Sequence, residues 1–560
     1  MNSMIEITNR WGLAKRGIFD FKGEEIEIPN IFFLEGKHFT PPDYAELSIS
    51  AGDEGFLKIP SSFFENEESD LPNTFAYPEG IDGEPIQKDK GLPSIQIIYD
   101  QEPDPDAEVY VIGNAPQLLK RSERLYDKIV SLRKKIEFHK LIYVPGIAQP
   151  NNLAVLTYLG VDLFDSSFIE LMGFEGAELS NLFNFDGDPK KNHHHLLEEL
   201  KLVRKTITHG KIRDLVESRV RSEPWLVELL RKADEDYRLF SKGVPIIGDD
   251  VFVTTREGLH RPDIERFRRR IRGRYDPPDR DILLLLPCSA KKPYFQSRSH
   301  RRFREATSNV CWTDIHEVIL TSPLGLVPRE LELFYPAQQY DIPVTHEWFQ
   351  EEMDMIINQL KSLLDKGTYK KIISHLPPDM EFVNEEIECI DTTHGQHPTS
   401  SKAINELNDT LKEILGIKNK KIQRYLNENI ASFCRFQFGE GGEDLLDGAN
   451  IKGKYPWYKI ISDETQRGML VPERGLISLT LEGAEIIKEK EINQVMIDDF
   501  RPKGSIFAVG IKDADKTIIP GEETVVIHED ELRGVGPAVM SGDEMVEAER
   551  GEAIKLRHYP

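Results

Sequence analysis

The run ILLLL at residues 282–286, followed at once by Pro287 and Cys288, constrains this chain more than any other feature. Five apolar residues without alternation read as a strand buried on both faces, the pattern of a parallel sheet covered by helices. Proline ends such a strand because it has no N–H to give to the ladder. Beyond it, one short loop carries Cys288, Lys291, Lys292, Tyr294, Ser297 and His300. Ligands in sheets of this kind sit outside the carboxyl ends of the strands, and a thiol beside cationic side chains is how a reactive cysteine is presented. The competing reading is a small buried hydrophobe, the commonest role of a free cysteine.

At 560 residues the chain is too long for one core, and three to four domains are expected. Residues 1–65 carry short alternating segments that read as strands and hairpins, and residues 66–107 are acidic, Pro- and Gly-rich loops around one strand at 94–99. From Val109, VYVIGN, KLIYVPG and VDLFDSSF read as strands alternating with helices, so residues 1–245 form a parallel α/β unit. Residues 246–278 are a linker and a basic helix. Residues 279–430 form a central, Rossmann-like α/β domain with strands at 282–286, 316–322, 370–376 and 385–391, and a helix capped by Ser400 or Ser401. Residues 431–486 turn strand-like from about 432 (FCRFQFGEGG) and read as a small α+β domain. Residues 487–560 alternate short strands with turns, as a small β-barrel does.

The net charge of −25 argues against a nucleic-acid partner, but its distribution does not. Between Arg256 and Arg304 lie 13 Arg and 2 Lys against 6 acids. A basic island on an acidic body can focus phosphate binding, which makes Arg266, Arg269, Arg270, Arg272, Arg301 and Arg302 candidate RNA contacts. A solvated arginine-rich helix is the bland alternative. The four cysteines have no paired spacing, so neither a disulfide framework nor a zinc site is expected, and no cofactor motif is evident. No membrane span and no secretory leader are read, so a cytoplasmic location is expected. His193, His194 and His195 read as a helix face, and Asp391, His394 and His397 do not specify a metal site.

Three stretches resemble known families. VPGIAQPNNLAVLTYLGVDLFDSS, with LEELKLVRKTITHGKIRDLVESRVRSEPWLVELLR, resembles the barrel of archaeal tRNA-guanine transglycosylases. DDFRPKGSIFAVGIKDADKTIIPGEETVVIHEDELRGVGPAVMSGDEM resembles a PUA domain. Pro287-Cys288, Lys292-Pro293-Tyr294, Ser297 and His300 resemble the signature of archaeosine synthases. The resemblance implies a degenerate TIM barrel over 1–245, without the transglycosylase zinc cysteines and kept for positioning tRNA, in which Asp165 of FDSS matches a catalytic aspartate and is either a substrate contact or, as is commoner for a lone Asp after a strand, a structural hydrogen-bond acceptor. It implies a PUA domain at 487–560, where Gly504 and Gly510 let RNA approach.

The function it implies is addition of a nitrogen donor to the nitrile of 7-cyano-7-deazaguanine at position 15 of tRNA. The tRNA would be gripped at its D-arm and acceptor-stem end. The donor would be free lysine, or glutamine or ammonia, with a radical-SAM partner enzyme releasing the product. Homodimerisation is allowed. Cys288 is the expected nucleophile, activated by Lys291 and Lys292, with His300 or Tyr294 as proton donor. Glu330, Tyr340 and Asp341, in the segment after the 316–322 strand, suit an ammonium group or a deazaguanine edge. The rivals are a tRNA-guanine(15) transglycosylase inserting 7-cyano-7-deazaguanine and a non-catalytic tRNA-binding subunit.

Overall fold

The computed structural model describes residues 5–21, 24–35, 39–50, 86–87, 94–415 and 421–560. Most of the segment read as acidic loops (66–85 and 88–93) lies outside the described residues. The chain divides into two units: Met1–Val244 with Phe507–Ile511 and Met540–Ala553, and Pro245–Ile506 with Lys512–Val539 and Ile554–Pro560.

The first unit opens with an antiparallel meander, β1 (Ile5–Trp11), β2 (Ala14–Phe21) and β3 (Glu24–Ile28). There follow β4 (Asn30–Glu35), β5 (Leu47–Ser50), β6 (Ile86–Gln87), β7 (Ile95–Ile98), β8 (Val109–Ile112), β9 (Leu141–Tyr143) and β10 (Leu163–Asp165). Their order in the sheet is β5-β4-β10-β9-β8-β7-β6. All pairs are parallel except β6 with β7. Sequence neighbours are sheet neighbours, and β10 returns to pair with β4, which is the ordering of a barrel rather than of an open doubly wound sheet. Alternate side chains divide accordingly. Phe32, Leu34, Leu47, Val109, Leu141 and Leu163 share one apolar cluster with the meander, while Ile31, Phe33, Tyr110, Ile142 and Phe164 join the helices.

VDLFDSSF is shorter as a strand than its apolar content predicts: β10 stops at Asp165 and a helix, Ser167–Phe174, begins. Asp165 itself forces the change by accepting the Ser167 N–H at 2.9 Å. A hairpin follows, β11 (Ala177–Leu179) and β12 (Asn184–Asp186).

In the second unit β13 (Val251–Phe252) pairs in parallel with β17 (Tyr340–Asp341). The main sheet comprises β14 (Ile282–Pro287), β15 (Ile315–Thr321), β16 (Gly325–Pro328), β18 (Lys371–Ser374) and β19 (Ile390–Asp391), in the order β16-β15-β14-β18-β19. Parallel strands flank β14 on both edges, and only β16 runs antiparallel. Ile282, Leu284 and Leu286 pack with Phe303 and Leu407 on one face, and Leu283 and Leu285 join Val318 and Leu360 on the other. The unbroken leucine run is therefore explained by burial on both sides.

Three local expectations are corrected. Glu385 and Glu386 end a short helix, Glu381–Glu386, leaving only Ile390–Asp391 as strand. FCRFQF lies inside a helix, Ile422–Phe438, whose buried Ile430, Phe433, Cys434, Gln437 and Phe438 follow three-and-four spacing. Its aromatic richness imitated a strand. That helix and the antiparallel strands Asn450–Lys454, Trp457–Ser462, Thr465–Val471 and Leu476–Leu479 contribute to the core of the main sheet, so residues 431–486 have no separate core. Ser400 caps its helix, taking the Ala403 N–H at 3.2 Å. Near the end of the chain, Glu523–His528 pairs in parallel with Gln494–Ile497 and antiparallel with Glu531–Pro537.

In the basic helix, Pro262–Gly273, two of the four candidate arginines are taken up by the interior. Arg266 is buried and donates to the Pro245 carbonyl at 2.9 Å, and Arg270 is buried against Glu522 at 2.5 Å. Arg269 and Arg272 reach solvent but both lie on Glu265, at 2.8 and 3.2 Å. Arg301 makes long contacts to the Ser297 and Gln296 carbonyls, and Arg302 is half-buried. Removing one partner of a buried pair strands the other charge. Arg270→Ala should therefore lower unfolding free energy by about 3–5 kcal/mol, whereas Arg272→Ala should change it by about 1 kcal/mol or less. Denaturant titration of both variants checks the contrast.

Candidate functional site

The crevice at the carboxyl end of β14 is a topological switch point, because the chain leaves β14 first for β15 on one side and later for β18 on the other. Cys288 emerges there as a partly exposed free thiol. Burial pushes the thiol up, and a hydrogen bond with Thr321 and the charge of Lys292 pull it back only in part. The expected activation by flanking lysines is thus not realised in the free protein. Lys291 is exposed, with its carbonyl taken by the Ser289 hydroxyl at 2.9 Å. Lys292 lies over the Tyr340 ring at 4.0 Å, and burial pushes its ammonium down against the opposing pull of Cys288 and Asp341. Cysteine normally titrates about two units below lysine. Here the two are driven toward each other, which lowers the cost of passing a proton between them.

Under this pair lies a hydroxyl chain. The Tyr340 hydroxyl meets that of Tyr294 at 2.6 Å and that of Thr321 at 2.5 Å. Tyr294 is fully buried, and burial holds its phenol far above the usual range, so it braces Tyr340 instead of delivering a proton itself. Asp341, next along β17, is exposed.

Ser297 takes the helix-cap role that its place before a helix also allows, and the role of His300 changes. Ser297 is the N-cap of the helix Arg298–Thr307: its Oγ accepts the His300 N–H at 3.1 Å, which accounts for the side chain without a ligand. His300 is buried, and burial together with Arg329 holds it well below the usual histidine range. Its Nδ1 accepts from Arg329 Nη2 at 2.8 Å, so the ring is neutral at pH 7 and no imidazolium acid is available.

Arg329 and Glu332, which the sequence reading passed over, hold this loop from beneath. Arg329 donates through Nε to Glu317 at 2.7 Å and through Nη1 to Glu332 at 3.1 Å. Glu332 also accepts the Phe295 N–H at 2.8 Å and the Tyr455 hydroxyl at 2.9 Å. The arginine and the glutamate are spaced i, i+3 in VPRELE, a pairing signal the sequence did offer. Thr321 carried no signal beyond its place at a strand end. Glu330 is separate from the thiol group, with Tyr275 donating to its Oε1 at 2.6 Å.

In the first unit Asp165 is fully buried and its carboxylate is consumed internally. It takes the Tyr143 hydroxyl at 2.5 Å, the Gly146 N–H at 3.0 Å and the Ser167 N–H at 2.9 Å. It anchors two loops and has no oxygen left for a substrate. His193 bonds Glu170 and His195 bonds the Leu179 carbonyl at 2.7 Å, so these histidines face protein. Among the described residues no cluster of His, Cys, Asp and Glu is arranged to hold a metal ion. Nor is any described helix long and apolar enough to cross a membrane. Gly504 and Gly510 are both half-buried.

The pH dependence of Cys288 alkylation by iodoacetamide, followed on its peptide by mass spectrometry, should give a midpoint above the free-thiol value of about 8.5. Thr321→Val should raise it further. A midpoint below the free value would mean that the thiol is activated before any substrate arrives.

Two family models match the chain. A family model described as a domain of unknown function (DUF5591) matches residues 264–411, and a PUA domain model matches residues 491–560. Archaeosine synthase subunit alpha of Methanosarcina acetivorans is 35% identical over 499 residues, covering 81% of this chain and 80% of that protein. Archaeosine synthase of Haloferax volcanii is 32% identical over 510 residues, covering 84% and 86%. A tRNA-guanine(15) transglycosylase of Methanococcus maripaludis is 23% identical over 507 residues, covering 81% and 71%. With relatives of that identity spanning most of both chains, this protein belongs to the archaeosine synthase family.

Proposed function

We propose that this protein is a tRNA-modifying transferase of archaeosine biosynthesis that adds an amine to the nitrile of 7-cyano-7-deazaguanine at position 15 of tRNA. The observation that carries the reading is the Cys288–Lys292 pair at the switch point, with thiol and ammonium shifted toward each other. The Cys288 sulfur adds to the nitrile carbon and its proton passes through Lys292 to the nitrile nitrogen, giving a thioimidate. A donor amine then attacks the same carbon. Collapse of the tetrahedral adduct breaks the C–S bond, returns the proton to sulfur and leaves an amidine. Nothing is oxidised or reduced.

Tyr340, lying under Lys292 and tied to Thr321, which also hydrogen-bonds Cys288, holds ammonium and thiol on one scaffold. His300, neutral and bonded to Arg329, positions the loop. Free lysine is the favoured donor, with glutamine or ammonia as alternatives and a radical-SAM partner to release the product. The internally consumed Asp165 favours this reading over base exchange, which needs a free carboxylate at the ribose. The PUA segment and the exposed lysine of the loop, Lys291, are the proposed tRNA contacts.

Mass spectrometry of nitrile-bearing tRNA, incubated with lysine, glutamine or ammonia in turn, tests the proposal. A gain of one whole lysine is expected, and no gain with any donor would overturn it. Cys288→Ala should abolish the gain, and Lys292→Met should slow it about 10²- to 10⁴-fold. Because the base form of Lys292 is required and burial lowers its pKa, the rate should rise with pH to a plateau whose midpoint lies below the ordinary lysine value of about 10.4. Lys292→Arg, which cannot deprotonate, should lose that limb of the pH profile.

A further inference from the structure

A cavity of about 460 Å³ lies beside the main sheet of the second unit, walled by the helices Arg298–Thr307 and Ile422–Phe438 and by the strands after Asn450. Its volume suits a small molecule. Three carboxylates line it, Glu317, Glu330 and Glu332, and hydrogen-bond accounting separates them. Glu317 is paired with Arg329, and Glu332 is filled by Arg329, Tyr455 and the Phe295 N–H. Glu330 is 7% exposed; its Oε1 is taken by Tyr275, and its Oε2 is buried with no hydrogen-bond partner. A buried carboxylate oxygen left open costs free energy unless something fills it.

Burial alone would push Glu330 up, but His316, 3.6 Å away, and the Tyr275 hydrogen bond outweigh it and the net direction is down, so the group is an anion. The rest of the lining suits a cation. Trp312 stands edge to face with Tyr425 at 4.9 Å, Tyr458 adds a further ring, and the Tyr425 ring already holds one cation, the Arg280 guanidinium at 4.7 Å. Aromatic walls around a carboxylate are how proteins hold organic ammonium groups. Arg304 also lines the cavity, from an exposed position where a carboxylate would be welcome.

We infer that this cavity is a second ligand site, taking a small aliphatic compound whose ammonium docks on Glu330 between aromatic rings and whose anionic end meets Arg304. The site is distinct from the thiol crevice. In the parallel register Glu317 faces Leu284, four residues before Cys288 along the chain, a rise of roughly 13 Å. None of Cys288, Lys292, Tyr294, Thr321 and Tyr340 lines the cavity. The two places share one residue: Arg329 lines the cavity and donates to His300 of the thiol loop. Occupancy of the cavity therefore bears on the loop through that guanidinium.

The inference stands on the cavity's own chemistry, and its test contains no tRNA, so it can fail without the nitrile reading failing, and the reverse. Calorimetric titration of the full chain with L-lysine, 6-aminohexanoate, cadaverine and norleucine separates the contributions. The first three, which carry a terminal ammonium, should bind saturably, and norleucine, which lacks it, should bind at least about tenfold more weakly. Glu330→Gln keeps an acceptor for Tyr275 and should weaken lysine binding about 10- to 100-fold. Leu426→Trp, which narrows the cavity from a half-buried position, should weaken it without altering any charge. Lysine should also change the rate of Cys288 alkylation in the wild type and not in Glu330→Gln. Absence of binding by the wild type, equal binding of norleucine, or wild-type affinity in either variant would overturn the site.

Discussion

Parallel pairing of β14 on both edges is the interaction on which the second unit depends. A strand so placed has no free edge and no free face, so its side chains must all be apolar, and its only outlet is its carboxyl end. The departures of the chain to β15 and then to β18 open a crevice at that end, and Pro287 closes the ladder just before it. Cys288, Lys292 and Tyr294 follow directly because the loop starts there. Thr321 arrives from the neighbouring strand β15 and Tyr340 from β17 of the separate β13–β17 pair, so a five-residue constellation is assembled from two sheets.

The electrostatics of that constellation come from burial more than from charge pairing. Burial raises a thiol and lowers an ammonium, and here it acts on both members of one pair. The result is a thiol protected from adventitious oxidation at neutral pH but with a proton acceptor close by. A site activated by fixed positive charge would hold a standing thiolate instead. The same burial makes His300 neutral and leaves it as a hydrogen-bond acceptor for Arg329.

The strand–loop centre was legible in the sequence because burial on two faces writes itself as an unbroken apolar run, and because a thiol after a proline is local information. The order of the first sheet was half legible. Alternating VYVIGN and KLIYVPG predicts parallel strands, but the return of β10 to β4 is a long-range pairing with no local mark. The arginine island misled because charge in a sequence carries no burial. Arg266 and Arg270 satisfy a backbone carbonyl and a buried glutamate that lie far from them along the chain. FCRFQF misled because aromatic residues favour strands locally, whereas its neighbours on the helix set the spacing. For Asp165 and Ser297 the sequence offers a structural reading beside the site reading, a hydrogen-bond acceptor and a helix cap, and the observed bonds are those of the structural one.

The burial of arginine has a further consequence. Most of the buried arginines face buried acids, as Arg270 faces Glu522 and Arg219 faces Glu199, so the interior removes both signs about equally. Burial among the described residues therefore does not offset the chain's net charge of −25. A polyanion approaching the molecule is repelled within about a Debye length of the surface, about 8 Å at physiological ionic strength and longer in dilute buffer. Added salt then acts in two directions, easing the approach while weakening the final grip, so that association is fastest at an intermediate ionic strength and not in the most dilute buffer.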